Sequence, residues 1–214
     1  MKLVDHKIIK NMALKKFRDF GNEIPYVMFV GAPGSGKGTQ ADDLVEKTGY
    51  VHVSTGDILR KSKDEKIKEM MKTGKLLPDN IVSKELDKFI KDNKKAKGFI
   101  FDGYPRNIKQ KDLLNKITEK NNLSLIKVYY MDVPEDILKE RIKERGKTSG
   151  RADDKDTKVF NTRMEEFYDQ TLPLINLLKQ DLGKDKFLTI KGDSGLEKCK
   201  EKISKDFLKS VAKI

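Results

Sequence analysis

Short apolar runs alternate along the chain with longer stretches in which apolar residues recur at helical spacing. The apolar runs predict strands at residues 25–31, 50–53, 98–101, 125–131 and 187–190. The helical spacing predicts helices near residues 36–47, 57–73, 80–91, 107–119, 134–145, 155–178 and 196–211. This alternation is typical of an α/β fold, so we expect a parallel five-stranded sheet with helices on both faces.

The first two dozen residues stand apart from this alternation. Apolar residues from Val4 to Phe20 recur near helical spacing, and Gly21 ends the pattern. We therefore expect a helical extension over residues 1–24, docked on a single domain that spans residues 25–214. A targeting or partner-binding arm is the alternative for this extension.

The composition narrows the possible partners. The formal net charge is +12, which favours an anionic partner. Most of the positive charge is lysine scattered among acids, and tryptophan is absent, so a solvated surface is favoured over a nucleic-acid groove. Apolar residues cluster periodically, which argues against general disorder.

Cysteine and histidine are too scarce for most metal sites. Cys199 is the single cysteine, so an internal disulfide and a cysteine-based zinc site are excluded, and there are only two histidines. No apolar run reaches membrane-spanning length, and the first residues lack the apolar stretch of a signal peptide. We expect a cytoplasmic protein in a reducing compartment.

A glycine-rich segment carries the strongest chemical signal. Residues 31–39 read GAPGSGKGT, follow a predicted buried strand and open a predicted helix. That context is the one in which such a loop binds nucleotide phosphates through backbone amides and a lysine, here Lys37. An unliganded strand-to-helix turn is the alternative. Gly38 stands where the general motif has Ser or Thr, so we expect Mg²⁺ to be held by phosphates and water.

Six segments in order identify a family resemblance. They are GAPGSGKGTQ (31–40), STGDILR (54–60), GKLLPD (74–79), FIFDGYPRNIKQ (99–110), GKTSGRADD (146–154) and RMEEFYDQTLPLI (163–175). Together they resemble the adenylate kinases, which are nucleoside monophosphate kinases, over nearly all of the chain from Pro25 onward. The resemblance implies a P-loop nucleotide kinase fold with a small nucleoside monophosphate-binding helical segment at about 54–90. The lid, at about 146–152, resembles the short form of the family without the large insertion.

The resemblance also implies roles for individual residues. ATP is expected to contact Gly34, Ser35, Gly36, Lys37, Gly38, Thr39, Arg141 and Gly195. AMP is expected to contact Thr55, Gly56, Arg60, Leu77, Gly103, Arg106, Gln110, Arg151 and Arg163. The residues expected to act in the transfer are Lys37, Asp102, Arg106, Arg145, Arg151 and Arg163. Asp102 is similar to the family's acid that organises Mg²⁺-bound water, and no side chain is expected to bind the metal directly.

The use of arginine supports phosphoryl transfer by itself. In a chain that prefers lysine, six of the seven arginines (all but Arg18) fall in these segments or on the helix before the lid. A guanidinium binds phosphate with two parallel hydrogen bonds and keeps its charge. For any one arginine the alternative is a surface salt bridge. Asp153 and Asp154 are expected to divide two roles between them, a helix cap and an arginine partner, and His52 is expected to be structural.

The resulting prediction is reversible, Mg²⁺-dependent phosphoryl transfer from ATP to AMP, giving two ADP. We expect a monomer that binds these nucleotides, with no nucleic-acid or membrane partner. A UMP–CMP kinase of the same fold is the first alternative; Thr55 and Gln110 favour adenine, whereas Asn107 points the other way. The second is a catalytically inactive nucleotide- or nucleic-acid-binding protein, which the net charge motivates and the intact arginines oppose.

Overall fold

A parallel sheet forms the centre of the molecule in the computed structural model, which describes residues 9, 11, 21, 23–148, 154 and 156–212. Its strands are β1 (Ile24–Gly31), β2 (Val51–Ser54), β3 (Phe99–Asp102), β4 (Leu123–Asp132) and β5 (Phe187–Lys191). They lie in the order β2-β3-β1-β4-β5, and each neighbouring pair is parallel. The predicted five-stranded parallel sheet is confirmed.

Helices connect the strands. They are α1 (Lys37–Thr48), α2 (Thr55–Arg60), α3 (Glu65–Lys72), α4 (Asp79–Asp92), α5 (Ile108–Lys120), α6 (Glu135–Thr148), α7 (Thr157–Glu166), α8 (Leu172–Lys186) and α9 (Leu196–Ala212). The single helix predicted at 57–73 is wrong, because the chain breaks after Arg60 and Asp64 caps a new helix by accepting from the Lys66 amide. The helix predicted at 155–178 is interrupted by a π-helical turn at Phe167–Thr171.

The sheet is buried on both faces, as the unbroken apolar run of β1 indicates. Tyr26, Met28 and Val30 belong to the core on one side, and Val27 and Phe29 to the core on the other. The first core includes residues of α4 to α8, whereas the second includes residues of α1 and α9. Helices therefore cover both faces, as expected of parallel strands.

The predicted N-terminal extension is described only in part. Ile9 is helical and fully buried in the core that α1 and α9 share, whereas Asn11 is helical and exposed. Most of the residues from 1 to 22 lie outside the described part of the chain. The burial of Ile9 supports docking of this segment on the sheet.

The helical segment at residues 55–92 lies beside the carboxyl end of the sheet, where the functional residues gather. Within it α2 contacts α3 and α4, and α4 packs against α5. Among the described residues, every helix is too short or too polar for a membrane span.

Candidate active site

The glycine-rich loop joins the end of β1 to the start of α1. Within it, Lys37 Nζ donates to the carbonyl oxygens of Gly31 at 2.8 Å and Ala32 at 2.7 Å. Its third neighbour is Ser35 Oγ at 3.3 Å. Ser35 is itself almost fully buried, and its backbone amide donates to the Ala32 carbonyl at 3.2 Å. The loop thus holds one ammonium group at the N-terminus of a helix, where anions bind well.

Gly34 fixes how closely the loop approaches α6. Its φ is +80°, in the region that favours glycine, and a Cβ there would lie 2.9 Å from the Leu138 carbonyl oxygen. Ile142 Cγ1 would be 3.0 Å away. The loop is therefore packed directly on α6, the helix that carries Arg141 and Arg145.

Gly38 lies against the carboxylate at the end of β3. A Cβ at this position would be 3.3 Å from Asp102 Oδ2, which is a tight contact. Gly38, the residue that departs from the general motif, therefore leaves room for the Asp102 carboxylate to approach the loop. Thr39, the next hydroxyl, and Asp102 line the same cleft.

The cleft above the loop has a volume of about 440 Å³ and is strongly polar. Its described lining residues come from the loop and α1, from β2, β3 and the chain after each of them, including α2, and from α6 and α7. They include Gly34, Gly36, Lys37, Gly38, Thr39, Gly56, Arg60, Asp102, Gly103, Arg106, Arg145 and Arg163. The structure thus brings together most of the residues that the sequence assigned to ATP phosphates and to transfer.

Positively charged side chains surround the cleft and favour the binding of an anion. Burial lowers the pKa of Lys37 to about 7; nearby Asp102 opposes this effect, while Arg106, Arg163 and Arg145 add to it. Three guanidinium groups therefore lie close enough to repel a fourth positive charge. A polyphosphate in the cleft would remove this repulsion and satisfy all four cations.

Asp154 joins two of the arginines. Arg145 donates to both of its carboxylate oxygens, at 2.6 and 2.7 Å, and Arg163 Nη1 donates at 3.0 Å. Burial alone would raise the pKa of Asp154, but the two guanidinium groups hold it below its ordinary value. The predicted pairing of an aspartate here with an arginine is confirmed for Asp154. Asp156 caps α7.

Two residues assigned from the sequence lie outside the described residues. They are Arg151 and Asp153. Their predicted roles, in transfer and AMP binding for Arg151 and in capping or pairing for Asp153, stay predictions. Most of the predicted lid at 146–152 likewise lies outside the described part of the chain.

A second, smaller pocket of about 60 Å³ opens between the helical segment and the sheet. The residues assigned to AMP that line it are Thr55, Gly56, Arg60, Leu77, Gly103, Arg106, Gln110 and Arg163. Thr55 Oγ1 donates to the Gly103 carbonyl at 3.3 Å, and Arg106 Nε donates to the same oxygen at 2.8 Å. These bonds tie α2 and the loop after β3 into one wall.

Gln110 is held at the inner end of this pocket. Its Oε1 accepts from the Arg106 amide at 2.8 Å, and its Nε2 donates to Asp79 Oδ1 at 2.9 Å. Asn107 caps α5 by accepting from the Gln110 amide at 2.7 Å, and its Nδ2 also donates to Asp79. Capping accounts for Asn107 without a role in choosing a pyrimidine.

The remaining ATP residues lie on the other side of the loop. Arg141 Nη2 donates to the Gly192 carbonyl at 2.9 Å, which places its guanidinium beside the turn that contains Gly195. Gly195 has φ of +100°, and a Cβ there would meet none of the described atoms within 4 Å. Neither Arg141 nor Gly195 is among the residues that line the phosphate cleft; both lie near the end of β5.

His52, which the sequence predicted to be structural, lies at the site, and so does Asp79, to which the sequence assigned no role. His52 lines the cleft, with Nδ1 3.0 Å from Asp42 Oδ1 and Nε2 3.6 Å from Asp102 Oδ2. Burial alone would lower the pKa of His52, but the charges of Asp102, Asp42 and Asp57 raise it. The adjacency of strands β2 and β3 creates this contact, and no local motif signals it.

The oxygen groups in the cleft fit a Mg²⁺ ion that arrives with a nucleotide. The carboxylate of Asp102 and the hydroxyl of Thr39 are ligands or water partners of the kind that Mg²⁺ prefers. Among the described residues no group of three His, Cys, Asp or Glu side chains is placed to hold a metal ion. Phosphate oxygens would have to complete the coordination.

A phosphate loop on the central strand of a parallel sheet, beside a second pocket that shares its arginines, defines a P-loop nucleoside monophosphate kinase. The family model for adenylate kinase matches residues 29–182. The adenylate kinase of Flavobacterium johnsoniae is 36% identical over 184 residues, 83% of this chain and 95% of that protein. The one of Phocaeicola vulgatus is 40% identical over 162 residues, 72% of this chain and 85% of that protein. An adenylate kinase of Prochlorococcus marinus (strain AS9601) is also 40% identical, over 161 residues, 72% of this chain and 84% of that protein.

The chain belongs to the adenylate kinase family and is a phosphotransferase with adenylate kinase function. The resemblance identified from the six segments is confirmed. No finding favours the UMP–CMP kinase or the inactive binding protein.

Proposed function

We propose that this enzyme transfers the γ-phosphoryl group of MgATP to AMP, reversibly, giving two ADP. The observation that carries the proposal is that two pockets share one wall. Gly103, Arg106 and Arg163 line both the phosphate cleft and the pocket that ends at Gln110. Two nucleotides bound in these pockets would point their phosphates at the same arginines.

The donor phosphates would lie on the loop between β1 and α1. Backbone amides at the start of α1 and the ammonium of Lys37 would bind the β- and γ-phosphates. Arg141 and the turn at Gly195 would lie along the ATP adenosine, because they lie near the end of β5. Asp102 and Thr39 would hold the water molecules of a Mg²⁺ ion, and the ion, when bound with the nucleotide, would supply positive charge next to the phosphates.

The transfer itself would be direct, with no covalent enzyme intermediate. Charge spreads over the oxygens of the transferring group, so the catalyst has to position both substrates and stabilise that charge. Arg106, Arg145 and Arg163 surround the cleft and supply fixed positive charge. We propose the same role for Arg151.

The AMP base would enter the pocket bounded by Thr55, Leu77 and Gln110. Leu77 is buried and offers an apolar surface to a flat base, while Gln110 offers an amide to its edge. Arg60 would bind the AMP phosphate. In the structure Arg60 Nη2 donates to Asp57 at 2.6 Å, so its guanidinium is already directed along the cleft that both residues line.

Exclusion of water is needed, because an open site would let water accept the phosphoryl group. A Cβ on Gly74 would lie 2.9 Å from the Val159 carbonyl oxygen, so the helical segment already contacts α7. We propose that this segment, at about 54–90, and the short lid, at about 146–152, close over the two nucleotides.

The test measures ADP formation from MgATP with AMP, CMP, UMP and GMP as separate acceptors. We expect strong turnover with AMP, and a loss of about a thousandfold or more in Lys37→Met, because the lysine contacts the transferring charge. Lys202→Met, which changes an exposed lysine on α9, is the matched control and should keep full activity.

Preferred use of CMP or UMP would contradict the proposed acceptor while keeping the class of enzyme. No turnover with any acceptor would contradict the proposed function.

A monomeric state and a cytoplasmic location stay predictions. Sedimentation of the purified chain with and without nucleotides tests the predicted monomeric state.

A further inference from the structure

Asp79 is the acid whose contacts meet at the base end of the acceptor pocket. It is the first residue of α4, and its side chain is mostly buried, at 16% exposure. One carboxylate oxygen, Oδ1, accepts from Gln110 Nε2 at 2.9 Å and from Asn107 Nδ2 at 3.0 Å. Neither the phosphate chemistry nor the capping of α4 requires a carboxylate that receives two side-chain amides.

These contacts fix which way the Gln110 amide faces. A glutamine amide carries a donor end and an acceptor end, and it can be turned by half a rotation at little cost in water. Here the Arg106 backbone N–H is only a donor and the Asp79 carboxylate is only an acceptor. Turning the amide would set N–H against N–H and oxygen against carboxylate.

Burial makes that reversal expensive. Gln110 is 2% exposed, so water cannot replace the two lost hydrogen bonds. In the observed orientation Nε2 keeps one further N–H and Oε1 keeps one further lone pair. Within the described part of the chain the amide makes no other hydrogen bond. One donor and one acceptor of known position are left for a ligand.

We propose that Asp79 is a positioning residue that sets the base selectivity of the acceptor site by locking the orientation of the Gln110 amide; this inference rests on the proposed function. The locked amide selects bases that place an exocyclic amine next to an unprotonated ring nitrogen, as adenine and cytosine do. It rejects bases that place a carbonyl next to a ring N–H, as hypoxanthine, guanine and uracil do. Rejection follows because each of those bases needs the reversed amide.

AMP and IMP form the sharpest pair of acceptors for a test. They have the same phosphate, ribose and ring size, and they differ only in the amine or carbonyl and the adjacent ring proton. The measurement is the ratio of kcat/KM for AMP to kcat/KM for IMP, with saturating MgATP. Asp79→Asn keeps the shape of the side chain but offers the amide of Gln110 either a donor or an acceptor. We expect the ratio to fall about tenfold or more.

Asp87→Asn is the matched control. Asp87 is also on α4, and it also accepts from an asparagine amide at the end of α5, namely Asn121 Nδ2 at 3.2 Å. It tethers the same two helices far along α4 from Gln110. The AMP-to-IMP ratio should stay within about twofold of the wild-type value, since loosening the helices alone does not turn the amide.

A double variant separates positioning from simple loss of structure. In a Gln110→Ala background Asp79→Asn should leave the ratio unchanged, because there is no amide left to orient. If Asp79→Asn does not fold, Asp79→Ser replaces it, since serine suits the first turn of a helix.

Three results would overturn the inference. They are an unchanged ratio in both Asp79 variants, an equal fall in Asp87→Asn, and a further fall in the Gln110→Ala background. In each case wild-type turnover of AMP in the same assay would leave the proposed function intact. Absence of any wild-type turnover with AMP contradicts the proposed function instead.

Discussion

The charge of Lys37 depends on what fills the phosphate cleft. Without a ligand its ammonium is buried against loop carbonyls and surrounded by Arg106, Arg145 and Arg163. A nucleotide polyphosphate changes this environment from repulsive to attractive, so the bound state favours the protonated lysine.

Nucleotide binding should therefore take up a proton at alkaline pH. Burial lowers the pKa of Lys37 to about 7, so at pH 8 this lysine is mostly neutral before a nucleotide binds. Calorimetric titration of ADP at pH 8, in buffers of different ionisation enthalpy, should show uptake of close to one proton. The uptake should be much smaller at pH 6 and should disappear in Lys37→Met. Equal uptake by that variant would assign the proton to another group.

Most residues that line the cleft and the pocket could be assigned from the sequence, but their contacts with one another could not. Lys37 could be assigned because its chemistry is encoded in nine adjacent residues. The contact of Gly38 with Asp102 and that of Gln110 with Asp79 join distant parts of the chain. Such contacts depend on strand register and helix docking, which no local pattern specifies.

At the scale of elements, α6 and α7 are joined through one carboxylate. Arg145 on α6 and Arg163 on α7 both bind Asp154, whose side chain is fully buried. Holding the two guanidinium groups side by side opposes their mutual repulsion before substrates arrive. The link thus serves both the packing of the helices and the preorganisation of the cleft.

Asp154→Asn should destabilise the protein by about 3 kcal/mol at pH 7. This value is at the lower end of the range for a broken buried ion pair, because Arg145 and Arg163 both keep some contact with solvent. The pKa of Asp154 is lowered in the folded state. Its stabilisation is therefore complete above the ordinary carboxyl pKa of about 3.9 and is lost as the pH falls through the lower folded value.

Urea unfolding at several pH values between 7 and about 2 tests this expectation. The difference in the free energy of unfolding between wild type and Asp154→Asn should shrink toward acid pH. Asp156→Asn is the control, because asparagine also caps a helix well and the side chain of Asp156 is exposed. A constant difference across the range would assign the effect to shape rather than charge.

The breaks between helices show where sequence patterns stop being informative at this scale. The apolar spacing at residues 57–73 continues across two helices, because α2 and α3 both place apolar residues on the same core. The cap at Asp64 is visible in the sequence only once the end of α2 is known. The turn at Phe167–Thr171 preserves helical spacing closely enough that residues 155–178 resemble one helix.

At the scale of the whole molecule, the N-terminal segment adds to the core behind the site. Ile9 is fully buried among residues of α1, α9 and the sheet. This contact lies on the face of the sheet opposite the helical segment that lines the acceptor pocket. Its contribution should therefore be to stability rather than to turnover.

Ile9→Ala should lower the free energy of unfolding by about 2–4 kcal/mol, as expected for a large-to-small change at a buried isoleucine. Turnover measured well below the melting temperature should be unchanged. Asn11→Ala, at an exposed position of the same segment, should change stability by no more than about 0.5 kcal/mol. Equal stabilities of the two variants would show that the segment does not dock in solution.

Strand β1 is at the centre of the sheet, and the strands on its two sides lead to different parts of the site. Strands β2 and β3 lie on one side and lead to Thr55, Asp102 and Gly103, which line the acceptor pocket and the cleft. Strands β4 and β5 lie on the other side and lead to α6 and the turn at Gly195. The residues proposed to contact the acceptor base lie between positions 55 and 110, apart along the chain from the proposed donor residues at 34–39, 141 and 195, whereas Arg163 lines both sites. Substitutions among residues 55–110 can therefore change, over evolutionary time, the base that the enzyme accepts, while the donor site is inherited unaltered.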